Sequence, residues 1–286
     1  MIIRENIVDV EEYRLEEILN NKEVDCKPEE SIYFDLEHYV YKKPKCIGVF
    51  GACVYNKKNK KINVTQYMIE NKSEVVDILL LAKKYFIKMK REGKKVIVTF
   101  AGNNDFTVIK YLFNKYGIYF DFEKEFKSID IQKEYEKDMK ISIGLKNLEK
   151  IFEVYREGDV ISGSNLAKTF HKVLKDKEYI QRMPKEKIET ILQYNEQDVV
   201  NLYKIFINWK NYIKTEEDNK ENDDFDEIKE IKTEQIINDI KEIDNEKNIE
   251  DVKKEQENNA NDNIIIIEDN GQQEENKEID NSETII

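Results

Sequence analysis

Hydrophobic positions change their spacing along this chain in a way that divides it into blocks. Residues 1–30 are charged and weakly periodic, and Val8, Tyr13, Leu15, Ile18 and Leu19 support at best a short helix leading into a domain. From Ser31 the pattern sharpens into strand-like segments, Ser31–His38, Cys46–Tyr55 and Lys61–Glu70. The polar turn Asn56-Lys-Lys-Asn-Lys60 joins the last two, which predicts an antiparallel meander. Val75, Ile78, Leu79, Ala82 and Phe86 then recur every three or four residues, so Ser73–Lys90 reads as an amphipathic helix with Ser73 as its N-cap and Gly93 as its stop. Lys95–Phe100 reads as a buried strand, Asp105–Tyr116 as a helix closed by Gly117, and Glu125–Ile131 as a short strand. Helical spacing covers Leu145–Tyr155, Ser164–Lys175 and Pro184–Trp209, with Pro184 suited to a first turn where its missing N–H would be unpaired anyway. Three antiparallel strands followed by strand–helix units predict an α/β fold with a mixed sheet and a C-terminal helical portion.

Charge divides the chain at a different place. From Lys214 onward there are 26 Asp and Glu against 9 Lys and Arg, a net of −17, whereas residues 1–213 carry 34 against 38, a net of +4. The tail, rich in Glu, Asp, Asn, Lys and Ile with few aromatics, is expected to be disordered. Its run Asn263-Ile-Ile-Ile-Ile-Glu-Asp269 could serve as a short strand for a protein partner, but compositional bias is the favoured account of it. The organisation expected is a lead-in over 1–30, a domain over 31–213 and the tail over 214–286. The mildly basic body is compatible with a polyanionic ligand. Three cysteines, Cys26, Cys46 and Cys53, make neither a C-x-x-C pair nor an even set, which suits a reducing, cytoplasmic setting. No apolar run approaches the roughly 18 residues of a membrane span.

Within the body, carboxylates recur at places where a core would not tolerate them unaided. Asp35 and Glu37 alternate with Ile32, Phe34 and Leu36 along the first strand, so both project from one face while the apolar residues face the other layer. Asp105 follows a buried strand at the start of a helix, a position that capping alone would favour but also one where α/β folds place ligands. Tyr194 and Asp198 lie four apart on a helix whose stripe is Ile188, Ile191, Leu192, Val199, Leu202 and Ile205. Brought together, four carboxylates repel one another unless hard divalent cations lie between them, which points to Mg²⁺ or Mn²⁺ and to phosphodiester hydrolysis. Of the two histidines, His38 follows the first acidic pair, and His171 lies in a separate helical segment where a packing or surface role is expected.

The ordered trio Phe34-Asp-Leu-Glu37, Ala101-Gly-Asn-Asn-Asp-Phe106 and Tyr194-Asn-Glu-Gln-Asp198 resembles the three motifs of the DEDD exonuclease superfamily, in its Y-x-x-x-D subclass. More narrowly, residues 31 to about 209 resemble the bacterial YprB-like ribonuclease H-like family, with Leu145-Lys-Asn-Leu-Glu149 and Ile161-Ser-Gly163 matching the segment before the third motif. The resemblance implies a ribonuclease H-like sheet and a 3′→5′ exonuclease acting on single-stranded DNA or RNA. It implies two metal ions held by Asp35, Glu37, Asp105 and Asp198, with Tyr194 orienting the attacking water. The family commonly has D-x-E-T-T-G where this chain has Asp35-Leu-Glu-His-Tyr-Val40, and Phe-Asp where it has Asp105-Phe106. Two alternatives stay open: a non-catalytic nucleic-acid-binding or scaffolding module on the same fold, and a structure-selective endonuclease.

Overall fold

The computed structural model describes residues 1–158 and 161–213. The acidic stretch from Lys214, expected to be disordered, lies outside the described residues. The strands are β1 (Ile2–Asp9), β2 (Ser31–Tyr41), β3 (Lys43–Asn56), β4 (Lys61–Met68), β5 (Val96–Thr99) and β6 (Lys127–Asp130). They form one mixed sheet in the order β1-β4-β3-β2-β5-β6. The meander β2–β3–β4 is antiparallel, and β5 and β6 are added parallel to β2. The helices are α1 (Val75–Arg91), α2 (Asn103–Lys115), α3 (Phe122–Glu125), α4 (Ile131–Met139), α5 (Leu145–Ile151), α6 (Gly163–Lys175), α7 (Lys185–Ile207) and α8 (Trp209–Tyr212). The fold class expected from the order of elements is the one observed.

Alternation along β2 divides the side chains between two layers. Phe34 packs edge-on or tilted against Phe50, Phe86 of α1 and Phe106 of α2, inside an aromatic core that continues through Phe122 and Phe126. On the opposite face Tyr33 meets Tyr203 and Phe206 of α7. Asp35 is therefore turned toward α7 by the same alternation that sends Phe34 into the core. Gly93 and Gly117 do end α1 and α2, each in the left-handed region at φ 86° and 66°.

Several expectations are corrected. The opening residues form no helix: β1 is an edge strand paired with β4 from Ile2↔Met68 to Asp9↔Lys61. Its half-buried face carries Arg4 and Asn6 between Ile2 and Val8, while Ile3 and Ile7 are exposed. Arg4 pairs with Glu189 and Glu196 of α7, and Asn6 donates to Glu196. Polar residues facing the helix hid the period of two. Ser73 does not cap α1; Asn71 accepts from the Ser73 N–H at 3.0 Å and opens a 3-10 turn that precedes the helix. The β2–β3 hairpin runs further than its apolar pattern, turning at Lys42 with φ 59°.

Candidate active site

The first carboxylates owe their position to β2, whose Asp35 lies opposite Gly51 and whose Glu37 lies opposite Val49 on β3. Gly51 leaves room for α7: a β-carbon there would lie 2.0 Å from Asn195 Oδ1. Through that gap Asn195 donates from Nδ2 to Asp35 Oδ2 at 3.0 Å, while Gln66 of β4 donates to Asn195 Oδ1 at 2.9 Å and to the Leu192 carbonyl at 2.8 Å. Three elements thus fix the orientation of one carboxylate. Asp198, three residues further along α7, completes a triad with Asp35 and Glu37 in which one carboxylate oxygen from each lies within 4.8 Å of the others.

Asp105 arrives from α2 and is 5% exposed. It lies outside the 4.8 Å triad but close enough for its charge to act on Glu37, and those of Asp35 and Asp198 to act on it. The capping alternative is not taken up, because the start of α2 at Gly102 has no side-chain cap. The neighbour beside Asp105 is His38, with Nδ1 3.8 Å from Oδ1. Asp130 at the end of β6 holds the turn that leads there, accepting from the Ala101 and Gly102 N–H groups at 3.0 and 3.1 Å and from Gln132 N–H at 3.1 Å. Ala101 sits at φ 51°, a conformation that costs an L-residue about 1–2 kcal/mol and that this double acceptor offsets.

These carboxyls hold their protons more tightly than usual. Burial pushes Asp35 up to about 6, opposed by the Asn195 hydrogen bond and by Arg156. Burial raises Glu37 well above the ordinary carboxylate range, and the charges of Asp35, Asp198 and Asp105 add to it. Asp105 and Asp198 are raised by burial first and then by Asp35. Burial, followed by the charges of Asp198 and Glu37, raises the Tyr194 hydroxyl, so it stays protonated. A cluster of hard oxygen donors that resists ionisation in this way fits a divalent cation, which relieves both the desolvation and the mutual repulsion.

Sequence reasoning missed the cations at the site. Arg156, on the loop after α5, donates Nε and Nη2 to the two oxygens of Glu149 at 2.6 Å each, and Nη2 also to Asp198 Oδ1 at 2.5 Å. Glu149, 2% exposed, is held in turn by Asn201 Nδ2 at 2.9 Å. Lys146 Nζ and Arg156 Cζ lie 5.3 and 5.0 Å from the centre of the Tyr194 ring. The helices that carry Glu149 and Asp198 were visible, but nothing in them said that a loop arginine would fold back to bridge the two carboxylates.

The family model RNase_H_2, of the RNase_H superfamily, matches residues 32–210. That stretch contains Asp35, Glu37, Asp105, Tyr194 and Asp198 together with Glu149 and Arg156. No curated protein matches the chain.

Proposed function

The chain belongs to the RNase H superfamily, and from that premise we propose that it is a metal-dependent 3′→5′ exonuclease of the DEDD, YprB-like kind, releasing nucleoside 5′-monophosphates from single-stranded DNA or RNA. The observation that carries this reading is the triad of Asp35, Glu37 and Asp198, converging from two elements within 4.8 Å behind a hydrogen-bonded support. Asp35, Glu37 and Asp198 would hold Mg²⁺ or Mn²⁺, with Asp105 as the fourth ligand of a two-ion site. When bound, such ions supply Lewis-acid stabilisation of charge on the phosphate and lower the pKa of the attacking water.

The remaining work falls to the chain's own groups. Tyr194, whose hydroxyl burial keeps protonated and which is therefore a poor base, would donate a hydrogen bond that orients the water. Asn195 keeps the Asp35 carboxylate from rotating, and Asp130 fixes the turn that presents Asp105. The proposed setting is the cytoplasm, which suits three cysteines that are all buried and unpaired. Among the described residues no helix is long and apolar enough to cross a membrane.

One observation favours a second reading, internal cleavage. The small residues that follow the first motif in the family are here His38, beside Asp105, and Tyr39, whose ring packs against His171 at 5.0 Å between centroids. Bulk at that position bears on how a strand terminus is seated. Strands labelled at the 5′ end, and circular strands of the same composition, separate the readings. Stepwise shortening of the linear strand with circles left intact is expected; linearised circles would replace the exonuclease with an endonuclease.

A further inference from the structure

Two cations stand at the acid cluster, although a cluster that only gathers metal ions has no use for them. The side chain of Arg156 is 9% exposed, and a guanidinium so buried is costly unless its N–H groups are paired. Nε and Nη2 are satisfied by Glu149 and Asp198, but Nη1 is buried with no hydrogen-bond partner among the described residues. Glu149 accepts two bonds along one edge of the guanidinium and is itself anchored by Asn201, so the group stays in place whatever else binds Asp198. Lys146, in the first turn of α5, donates to the Ile161 carbonyl at 3.1 Å and retains further N–H donors on the same ammonium. Both cations face the Tyr194 ring, and both act electrostatically on Asp198 and Glu37. Buried donors without acceptors, next to a second cation, describe a place completed by a ligand with several anionic oxygens.

We propose that Lys146 and Arg156 form a phosphate-binding subsite beside the carboxylate triad, with Tyr194 as its wall. Its ligand is a phosphate of the nucleic-acid backbone and, after cleavage, the 5′-phosphate of the released nucleotide. The identity of that ligand rests on the nuclease reading; the grip on phosphate is a separate property of the chain. Arg156 supplies the N–H groups of its unpaired Nη1, on a guanidinium that Glu149 holds in place, and Lys146 supplies a mobile point charge.

The test is calorimetric titration of the full chain in Mg²⁺ with adenosine 5′-monophosphate, using adenosine as the phosphate-free control. The wild type is expected to prefer the monophosphate. Lys146→Met should weaken monophosphate binding by about tenfold, the scale of one charge-assisted hydrogen bond, and leave adenosine unchanged. Arg156→Gln alone strands a buried Glu149, so the arginine is tested as the double variant Glu149→Gln/Arg156→Gln, which removes both charges and whose folding is checked by circular dichroism. It should show a similar loss. A wild type indifferent to the phosphate, or variants that bind the monophosphate as tightly as the wild type, would overturn the subsite. Cleavage of labelled strands is scored separately: a protein that grips the monophosphate through Lys146 yet cuts nothing sinks the nuclease reading and supports the subsite. A protein that cuts normally with either variant and binds the monophosphate unchanged sinks the subsite alone.

Discussion

Asp198 has two partners that pull in different directions, the acid pair on β2 and the Arg156 guanidinium 2.5 Å away. The charge it brings to the triad is balanced by a cation whose own position depends on Glu149. Glu149→Ala is therefore expected to destabilise the protein by about 3–5 kcal/mol, because it leaves Arg156 buried with half its partners gone. Urea unfolding of the variant checks this, and a change below about 1 kcal/mol would mean that Glu149 is not the anchor. At this scale the carboxylates of β2 and α7 were legible in the sequence because each sits inside an apolar period that has to explain it. Asn195 and Arg156 were not. Asn195 is merely a residue between Tyr194 and Asp198 until Gly51 admits it to Asp35, and a lone arginine in a polar loop looks like any solvated surface charge.

Between elements, α7 approaches β3 closely at Gly51. Gly51→Ala places a methyl 2.0 Å from Asn195 Oδ1, so either α7 moves or Asn195 leaves Asp35 and Gln66. A stability loss of about 1–3 kcal/mol is expected, together with weaker Mg²⁺ binding, read by calorimetry on the folded variant. Unchanged metal affinity would separate Asn195 from the site. The strands after residue 31 and the long α7 could be read directly, from their apolar patterns and from turn, Gly or Pro signals at their boundaries. The strand β1 could not, because Arg4 and Asn6 occupy its inner face to meet Glu189 and Glu196. Equally, α4 stayed hidden. Its cap, Asp130, accepts from Gln132 N–H across the end of β6, and of its nine residues only Ile131 and Tyr135 are buried.

For the molecule as a whole, the raised carboxyls make stability depend on pH and metal together. Asp35 titrates at about 6 in the folded protein against about 3.9 in an unfolded chain. Between those values the folded state binds more protons, so stability must fall as pH rises through that window. With chelator present, the melting temperature is expected to be higher near pH 5 than near pH 7.5, to recover on adding Mg²⁺ at the higher pH, and to fall less in Asp35→Asn. A chelated melting temperature that does not fall with pH would contradict the burial of these charges. The net −17 from Lys214 onward, against +4 before it, gives a further expectation. Truncation at that point should tighten binding of a short single strand, by a margin that shrinks above about 0.15 M salt as the Debye length falls below about 8 Å. Fluorescence anisotropy at two salt concentrations reads it, and equal affinities at low salt would leave the tail no electrostatic role. The most direct measurement of all is cleavage of an end-labelled single strand by the wild type and by Asp35→Asn, with Mg²⁺, with chelator, and with Mg²⁺ restored. The wild type should cut only when the metal is present, and Asp35→Asn, though folded, should be slower by about a hundredfold or more; cutting that survives the chelator, or an Asp35→Asn variant as fast as the wild type, would contradict a metal-dependent nuclease centred on this triad.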